Sequence, residues 1–449
     1  MRAAEDRAIV AGTSVELLME RAGAAAADAI WRFAGPMPAL ILCGPGNNGG
    51  DGYVIARLLA ERGAAVRVAA LAEPATPACR AARQAWAGPV ETLGEAAPAA
   101  LLIDCLFGTG LKRPLDDPAT LMRLAAQAQL RVAIDLPSGV ATDDGAILSP
   151  VPDFDLTISF GALKPAHLLQ PAARHMGRIV LADIGVEIDT TLHEIVRPRL
   201  PAPGPNDHKY TRGLVTIVAG AMPGAAMLAA TAAARAGAGA VRLQGDVIVH
   251  GVPAAVIQMG EGPLDRLDDP RIGCLVVGCG LAPDTESRGL LDAALATDSP
   301  LLLDAGALQL LAETGLDRLK ARWAPAILTP HGGEFAKLFG KGQGSKVERA
   351  RAAASVSGAI IVYKGADTVV AAPDGRAAIL PPPPSWLASA GTGDVLAGII
   401  GTMVARGLEP FAAACAGVWL HSRAASLAGP ALIVDDLAAH LPKALAECL

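Results

Sequence analysis

The chain of 449 residues has few cysteines and no metal-binding arrangement of them. The seven cysteines lie at positions 43, 79, 105, 274, 279, 415 and 448. They form no CxxC pair and no His/Cys cluster at zinc-ligand spacing. An odd number of scattered cysteines favours free thiols in a reducing compartment. We therefore expect a cytoplasmic protein without structural disulfides or zinc.

The sequence also lacks a long uncharged apolar run. The most membrane-like stretch, residues 395–420, is interrupted by Arg406, Glu409 and Pro410. Each apolar segment is therefore shorter than the roughly 18 to 20 residues that a membrane-spanning helix needs, and we predict buried helices instead. The first residues, MRAAEDRAIVAGTS, contain acids and do not resemble a signal peptide, so we expect the mature chain to begin near Met1.

Neither sign of charge dominates the chain. The 38 basic and 44 acidic side chains give a net charge of -6, and no long run of like charge could follow a phosphate backbone. We therefore expect small-molecule partners, and neither a nucleic acid nor a membrane. Extended disorder is excluded by the content of 52% hydrophobic residues. A chain of this length predicts two domains, because one core usually serves roughly 100 to 200 residues.

The first half alternates short apolar runs with helix-like segments. A helix is predicted over residues 15–31, with Ser14 as its N-cap. Strands are predicted where apolar runs precede turn residues, at 39–43, 65–70, 101–106, 132–136 and 156–160. This alternation is typical of a parallel, doubly wound, Rossmann-like α/β domain, which we assign to residues 1–200.

A second α/β domain is predicted after a Pro-rich polar linker at residues 197–213. Strands are expected at 214–218, 275–277, 301–303 and 360–362, a helix is expected at 225–236, and the last ninety residues look mostly helical. We assign residues 208–449 to this domain.

A glycine-rich segment, GPGNNGGDG at residues 44–52, follows the first predicted strand. Gly44, Gly46 and Gly49 satisfy the GxGxxG pattern, so one alternative is a dinucleotide-binding oxidoreductase. That alternative needs an acid about 20 residues further on; Glu61 comes too early and Glu73 is a tolerable candidate. Against it, the loop also contains Asn47, Asn48 and Asp51, and a carboxylate would repel a pyrophosphate.

Polar residues lie at the ends of two further strands, with Asp104 at one and Asp135 and Ser138 at the other. Taken singly, each carboxylate could serve as a cap or a turn residue. Taken together, the amide of Asn48, the carboxylate of Asp104 and the oxygens of Ser138 form an all-oxygen site suited to a hard, weakly charged cation. Asp135 would then be free for acid/base chemistry.

These segments, in their order and spacing, resemble the NAD(P)H-hydrate epimerase domain over about residues 1–200. The motifs are GPGNNGGDG, DCLFGTG, DLPSG and LMERAG, the last having Arg21 where the family usually has Asn. The resemblance implies that Asn48, Asp104 and Ser138 hold potassium and that Asp135 is catalytic. It also implies contacts to the hydrated nucleotide from Asn47, Asn48, Gly49, Gly50, Asp51, Gly108, Thr109, Gly110, Leu111, Lys112, Arg113, Pro114 and Asp135.

The second half contains ASAGTGDVLAGIIG at residues 388–401, a small-residue loop followed by an acid and an apolar helix. The amides of Gly391, Thr392 and Gly393 would face a phosphoryl group at the helix N-terminus, and Asp394 could take a proton from an attacking hydroxyl. The alternative is that Asp394 merely complements the helix dipole. Upstream, VYKGADTVV at 362–370 offers Lys364 and exposed amides to a diphosphate.

The GTGD segment resembles the ribokinase-like superfamily, in which this Asp is the base. TPHGGEFAKLFG, VVGCGL and PGAAMLAATAAARAGAG narrow the resemblance to the ADP/ATP-dependent NAD(P)H-hydrate dehydratases over about residues 208–449. It implies hydrate contacts from Ala225, Gly280, His331 and Asp394. ADP contacts are implied for Lys364, Gly365, Ala366, Asp367, Thr368 and Gly393. Glu334 suits a place near phosphate-bound Mg²⁺, and Gly306 stands where the family commonly has an acid, although Asp304 is present.

The combined resemblance implies a repair enzyme for hydrated NADH and NADPH, with ADP or ATP as co-substrate, K⁺ in the first site, Mg²⁺ in the second, and homo-oligomeric assembly. A non-catalytic nucleotide-binding protein is the remaining alternative. The choices between ADP and ATP and between the two hydrates stay open.

Overall fold

The computed structural model describes residues 1–245, 248–259 and 267–449, and the chain divides into two compact units, Met1–Thr190 and Thr191–Leu449. Among the described residues, no helix is both long and apolar enough to cross a membrane. Each unit is a layered α/β structure with its own sheet.

Residues 1–190 form one parallel sheet with the strand order β3-β2-β1-β4-β5-β6-β7. The strands are β1 (Ala39–Cys43), β2 (Val66–Ala70), β3 (Val90–Thr92), β4 (Leu101–Cys105), β5 (Leu130–Ile134), β6 (Leu156–Phe160) and β7 (Arg178–Ala182). The helices are α1 (Arg2–Val10), α2 (Val15–Ala34), α3 (Asn47–Glu61), α4 (Pro77–Ala85) and α5 (Pro118–Gln127). The order reverses between β1 and β4, as in doubly wound nucleotide-binding folds, so the Rossmann-like prediction is confirmed.

The five strands predicted in this unit are present within two residues, and Ser14 caps α2 by accepting a hydrogen bond of 3.1 Å from the Leu17 amide. The prediction of a loop over 44–52 is wrong, because α3 already begins at Asn47. The helix can start this early because Gly49 has no side chain and lets the first turn lie close to the end of β1. A Cβ on residue 49 would collide with the Gly44 carbonyl oxygen. Asn47, Asn48 and Asp51 therefore lie on the first turns of a helix.

The described part of the second unit contains a sheet in the order β11-β10-β9-β12-β13-β14-β15-β16-β17-β8. Its strands are β8 (Leu192–Glu194), β9 (Leu214–Val218), β10 (Ala240–Gln244), β11 (Val256–Met259), β12 (Ile272–Val277), β13 (Leu301–Leu303), β14 (Ala326–Leu328), β15 (Ile360–Tyr363), β16 (Val369–Ala371) and β17 (Ala377–Ile379). All pairings are parallel except those of β16 with β15 and β17.

Helices cover this second sheet. They are α6 (Pro223–Arg235), α7 (Thr285–Ala296), α8 (Ala305–Thr314), α9 (Asp317–Lys320), α10 (Gly332–Phe339), α11 (Lys346–Ser357), α12 (Thr392–Ala405), α13 (Pro410–Ala428) and α14 (Val434–Ala446). The stretch at 395–420 forms the buried helix α12 and much of α13, as predicted. Gly398 lets α12 approach α6, because an added Cβ would collide with the Ala229 carbonyl.

The segment between the two predicted domains belongs to the second unit. Leu192–Glu194 pairs in parallel with β17, although the sequence assigned residues up to 200 to the first domain. The predicted linker at 197–213 has no helix or strand, and Leu200 donates its amide to the Cys448 carbonyl at 2.8 Å. A three-residue edge strand is too short to leave an apolar period that could be recognised in the sequence.

Candidate active sites

The first candidate site lies at the carboxyl ends of three adjacent strands, β1, β4 and β5. Helix α3 begins just after β1, Asp104 is the fourth residue of β4, and Asp135 directly follows β5. Because carboxyl ends of parallel strands meet at one edge of the sheet, this topology gathers the residues that the sequence singled out.

Asp104 and Ser138 are fully buried and bonded to each other. The Ser138 hydroxyl donates to Asp104 Oδ1 at 2.7 Å, and the Ser138 amide donates to Oδ2 at 2.9 Å. Burial raises the pKa of Asp104, against the opposite effect of these hydrogen bonds. Burying a carboxylate is costly unless hydrogen bonds or a positive charge compensate for it. A cation next to Asp104 would provide that compensation.

Asp135 has a strained backbone and a carboxylate with two partners. Its φ is +65°, which is uncommon for a residue with a side chain. The Thr109 amide donates to Oδ2 at 3.1 Å, and Lys164 forms an ion pair with Oδ1. An added Cβ on Gly108 would lie 2.8 Å from Oδ2, so only a glycine leaves this carboxylate where it is.

Lys164 and His167 complete this site, and the sequence analysis missed both. Lys164 is buried and donates to Ser159 Oγ and to the Phe160 carbonyl, each at 3.0 Å. The Lys164 amide donates to His167 Nδ1 at 2.9 Å, and His167 Nε2 lies 2.8 Å from the Asp135 carbonyl. Burial first, and then the charge of Lys164, lower the pKa of His167 to about 4. The sequence feature that could have indicated Lys164 and His167 is the segment GALKPAH. This segment follows β6, the strand next to β5 in the sheet.

A cleft of about 290 Å³ adjoins this site. Asn47 and Asp51 line it from α3, Arg2 and Glu5 line it from α1, and Phe160 lines it from the end of β6. Burial, followed by the charge of Asp135, raises the pKa of Asp51 well above its ordinary value. The cleft thus offers a partly apolar wall and ionisable groups to a polar ligand.

The segment 108–114 is only partly gathered at the site. Gly108 and Thr109 adjoin Asp135, and Leu111 is buried, whereas four residues are exposed: Gly110, Lys112, Arg113 and Pro114. Gly49 and Gly50 are buried in α3, where their missing side chains allow close packing.

The side chain of Asn48, one of the residues expected to bind a cation, has an unsatisfied buried atom. Asn48 Nδ2 is buried and has no hydrogen-bond partner among the described residues. An added Cβ on Gly108 would lie 3.2 Å from Asn48 Oδ1, which places this amide next to Asp135. The oxygen and the nitrogen of an Asn side chain are distinguished only by their hydrogen-bond partners. If the Asn48 amide is flipped, its oxygen occupies the buried position and has no partner there in the described part of the chain. Amide, carboxylate and hydroxyl oxygens, the atoms that Asn48, Asp104 and Ser138 offer, are of the chemical type that suits a hard cation such as K⁺.

The second candidate site lies where α12 begins. Gly391 is the N-cap with φ +85°, and Asp394 is the third residue of the helix. Burial first, and then the charge of Asp304, raise the pKa of Asp394 to about 6, against the effects of Cys279 and Lys364. With this pKa the carboxyl group is ionised at neutral pH and is a stronger base than an ordinary carboxylate. Both properties suit a general base.

Lys364 brings a positive charge to this helix terminus. Its Nζ lies 2.6 Å from Asp304 Oδ1, and an added Cβ on Gly393 would be 3.3 Å from the same nitrogen. Burial alone would lower the pKa of Lys364, but the ion pair with Asp304 outweighs it and the pKa is raised. Thr329 Oγ1 also donates to Asp304, at 2.7 Å. A cation and the first amides of a helix thus converge where an anion would bind.

Cys279 adjoins these carboxylates and was not recognised in the sequence. Among the described residues, the ligand atoms of Cys279, Asp304 and Asp394 lie within 4.8 Å of one another. Burial, and then the charges of Asp394 and Asp304, raise the pKa of the thiol well above its ordinary value, so it is protonated. The next residue, Gly280, has φ +89°, and an added Cβ would collide with the Met222 carbonyl.

His331 and Glu334 cap α10 reciprocally. His331 is exposed and accepts a hydrogen bond of 2.9 Å at Nδ1 from the Gly333 amide, while Glu334 Oε2 accepts one of 2.8 Å from the His331 amide. Glu334 is buried. The structure therefore gives His331 a capping role and leaves its Nε2 at 3.4 Å from Glu334 Oε1.

The segment 364–368 is held by a second lysine that the sequence did not indicate. Lys346 Nζ lies 2.6 Å from Asp367 Oδ1 and 3.4 Å from the Lys364 carbonyl. Thr368 Oγ1 donates to the Gly365 carbonyl at 3.1 Å, and Gly365 and Ala366 are exposed. Ala225 lies in the first turn of α6 and is partly buried.

Each of the two units matches a known protein family. A family described as NAD(P)H-hydrate dehydratase matches residues 215–446, and one described as YjeF-related protein N-terminus matches residues 15–166. A bifunctional NAD(P)H-hydrate repair enzyme Nnr from Moorella thermoacetica is 35% identical over 488 aligned positions, which cover 96% of this chain and 92% of the relative.

Two solved structures resemble the second unit. An ADP/ATP-dependent NAD(P)H-hydrate dehydratase from Bacillus subtilis, co-crystallised with ATP and Mg²⁺, is 31% identical with a TM-score of 0.50, covering 56% of this chain and 95% of that one. A ribokinase-like superfamily protein from Enterococcus faecalis is 21% identical with a TM-score of 0.52, covering 58% and 98%. The ribokinase-like fold predicted for the second unit is confirmed.

Proposed function

Because this chain belongs to the family of bifunctional NAD(P)H-hydrate repair enzymes, we propose that each of its two units carries one of the two activities. The first domain, residues 1–200 of the sequence assignment, interconverts the R and S forms of NADH or NADPH hydrate. The second, residues 208–449, dehydrates the S form with ADP or ATP as phosphoryl donor, releasing AMP or ADP and phosphate.

The observation that carries the second activity is the convergence of Asp394, Lys364 and the first amides of α12. Asp394 removes the proton from the C6 hydroxyl of the hydrate, and that oxygen attacks the terminal phosphoryl group. Gly393 and its neighbouring amides, with Lys364, stabilise the charge that develops on the phosphoryl oxygens. Phosphate then leaves C6 as the ring nitrogen donates its electron pair, and loss of a proton from C5 forms the C5=C6 double bond of the dihydronicotinamide.

We assign hydrate contacts at this site to Ala225, Gly280, His331 and Asp394, and ADP contacts to Gly393 and the segment 364–368. Lys346 supports the assignment of that segment, because it holds Asp367 and the Lys364 carbonyl beneath the exposed Gly365 and Ala366. The hard carboxylate oxygens of Glu334 suit a place near Mg²⁺, which neutralises diphosphate charge when bound.

In the first site we assign acid/base chemistry to Asp135. Inversion at C6 requires the hydroxyl to leave and water to return on the opposite face, so a proton must be both given and taken. Asn47 and Asp51 line the adjoining cleft, which supports hydrate binding there by residues 47–51 and by the segment 108–114. Asn48, Asp104 and Ser138 would hold K⁺, which supplies positive charge beside the buried Asp104 when bound.

We also propose that the protein is cytoplasmic and that it forms a homo-oligomer. All seven cysteines are free thiols, which supports the cytoplasm. A homo-oligomer remains our expectation from the resemblance, and an exposed apolar side chain such as Trp323 is compatible with it.

Separate removal of the two cations is expected to separate the two activities. Without Mg²⁺, ADP-dependent dehydration should fall at least about tenfold, because diphosphate charge is no longer neutralised, while the exchange of R and S hydrates continues. Replacing K⁺ by Li⁺ should slow the exchange by about tenfold, because the small cation does not suit donors spaced for a larger one. Chromatography of the two epimers measures both rates. A K⁺ effect on dehydration alone contradicts the assignment of Asn48, Asp104 and Ser138.

Replacement of Gly108 by Ala is expected to slow epimer exchange about 100-fold and to leave dehydration unchanged. The added Cβ would lie 2.8 Å from Asp135 Oδ2, so this carboxylate must move, and a displacement of this size costs about 100-fold in rate. Gly94→Ala is the matched control, because its Cβ would meet nothing within 4 Å. Equal exchange rates in the two variants would show that Asp135 need not stay in place.

A further inference from the structure

Lys164 places a buried ammonium group against the carboxylate to which we assign the epimerase chemistry. Its three N–H bonds reach Asp135 Oδ1, Ser159 Oγ and the Phe160 carbonyl. The Ser159 hydroxyl itself donates to the Ala162 carbonyl at 2.8 Å, which leaves its oxygen to accept from Lys164. The ammonium group is therefore fixed in direction as well as in position.

This ammonium group lies behind two residues that line the cleft. Phe160, whose carbonyl accepts from Lys164, lines the cleft, and so does Asp51, which interacts electrostatically with both Lys164 and Asp135. A ligand bound beside Asn47 and Asp51 is therefore expected to lie near the Asp135–Lys164 pair. Burying a lysine is costly, so a role beyond packing is expected of it.

Contacts other than the ion pair also hold Asp135 in place. The Thr109 amide holds its carboxylate at 3.1 Å, and His167 Nε2 holds its carbonyl at 2.8 Å. His167 accepts the Lys164 amide at Nδ1, and its pKa is lowered to about 4, so it is neutral with its proton on Nε2 and donates to the Asp135 carbonyl. His167 is a positioning residue, because its Nε2 contacts the Asp135 backbone and not its carboxylate.

We propose that Lys164 is a second catalytic residue of the epimerase site, acting as the acid that protonates the departing C6 hydroxyl while Asp135 is the base for the returning water. This inference rests on the proposed function of the first unit. The C6–O bond breaks with its electron pair going to oxygen, Lys164 Nζ supplies the proton that makes water, and the ring nitrogen forms the C6=N double bond.

The return step restores both residues. Water adds to C6 on the opposite face, the electrons of the C6=N bond return to nitrogen, and Asp135 takes the proton of the attacking water. The proton then passes from Asp135 to Lys164 along the hydrogen bond that joins them. No atom or electron is gained or lost, as an isomerisation requires.

Chemical rescue distinguishes a proton donor from a fixed charge. Lys164→Ala in the full chain is expected to lower the rate of epimer exchange, measured by chromatography without ADP, about 100-fold, with KM changed less than about threefold. Methylammonium should restore part of that rate, because it brings a charge and a transferable proton into the space left by the side chain. Tetramethylammonium carries the same charge without a proton and should restore nothing.

A second variant guards against loss of folding. Lys164→Arg keeps the positive charge but holds its proton too tightly to act as an acid, so it should also exchange slowly. Dehydration of the S hydrate by the same variants should stay unchanged, and their thermal unfolding should keep the wild-type transitions, which shows that the first unit is folded as well as the second.

Three results would overturn the proposal: an unchanged exchange rate in Lys164→Ala, full activity in Lys164→Arg, or equal rescue by both ammonium ions. If epimer exchange is slow in Asp51→Asn but not in Lys164→Ala, the acid is Asp51. Its raised pKa makes it the competing proton donor. If the wild-type chain itself does not interconvert the two hydrates, the proposed function has failed before Lys164 is tested.

Discussion

Asp394→Asn is expected to lower the kcat of ADP-dependent dehydration about 1,000-fold while epimer exchange continues at the wild-type rate. The amide keeps the size of the carboxylate but cannot take the proton of the C6 hydroxyl, and general bases contribute rate factors of about this size. The measurement is the release of AMP from the S hydrate and ADP. Asp374→Asn is the matched control, because Asp374 is exposed and pairs with Arg376 in a turn.

The pH profile adds a second signature to the same residue. Asp394 must be ionised to act as a base, and its pKa is raised to about 6 by burial and by Asp304. The kcat/KM for dehydration should therefore be at its plateau above pH 6 and should decline as the pH falls through 6. A decline centred near pH 4 would indicate an ordinary carboxyl group. An Asp394→Asn variant that releases AMP at the wild-type rate would remove this residue from the mechanism.

Asp135→Asn is expected to slow the exchange of R and S hydrates about 1,000-fold. The amide can neither accept the proton of the returning water nor keep the ion pair with Lys164. With ADP present, this variant should consume the S half of an epimer mixture at the normal rate and then stop, because the R half is no longer supplied as S. Asp117→Asn is the control, since Asp117 is an exposed N-cap of α5 and Asn caps equally well.

The outcome that contradicts the role of Asp135 is complete consumption of both epimers by the variant at the wild-type rate. Such a result would leave the second unit intact and move the acid/base chemistry of the first unit to Lys164 or Asp51, both of which interact electrostatically with Asp135.

Local chemistry explains which features could be predicted from the sequence. Ser14 caps α2 through its own side chain, and an apolar run such as Ala39–Cys43 indicates its strand without reference to the rest of the fold. The positions of Asp104, Asp135 and Asp394 in the fold could be predicted because each lies at the end or the beginning of such an element. A parallel sheet then gathers the residues at the carboxyl ends of its strands along one edge.

The features that could not be predicted depend on strand order and on contacts across the fold. Lys164 becomes a partner of Asp135 because β6 lies next to β5, and the sequence alone does not give that neighbour. Cys279 looked like one of several scattered cysteines until β12 and β13 placed it beside Asp304 and Asp394. The early start of α3 depends on the close approach of Gly49 to Gly44, a contact that the glycine-rich pattern does not specify.

The most direct test of the account is the recovery of reduced-nicotinamide absorbance from a mixture of the R and S forms of NADPH hydrate, with the wild-type chain in K⁺ and Mg²⁺. The reaction is run with ADP, with ATP and with neither. The account predicts that both epimers disappear faster than they interconvert unaided, and that absorbance returns only when a nucleotide is present. Recovery without nucleotide, or no recovery with either one, would contradict it.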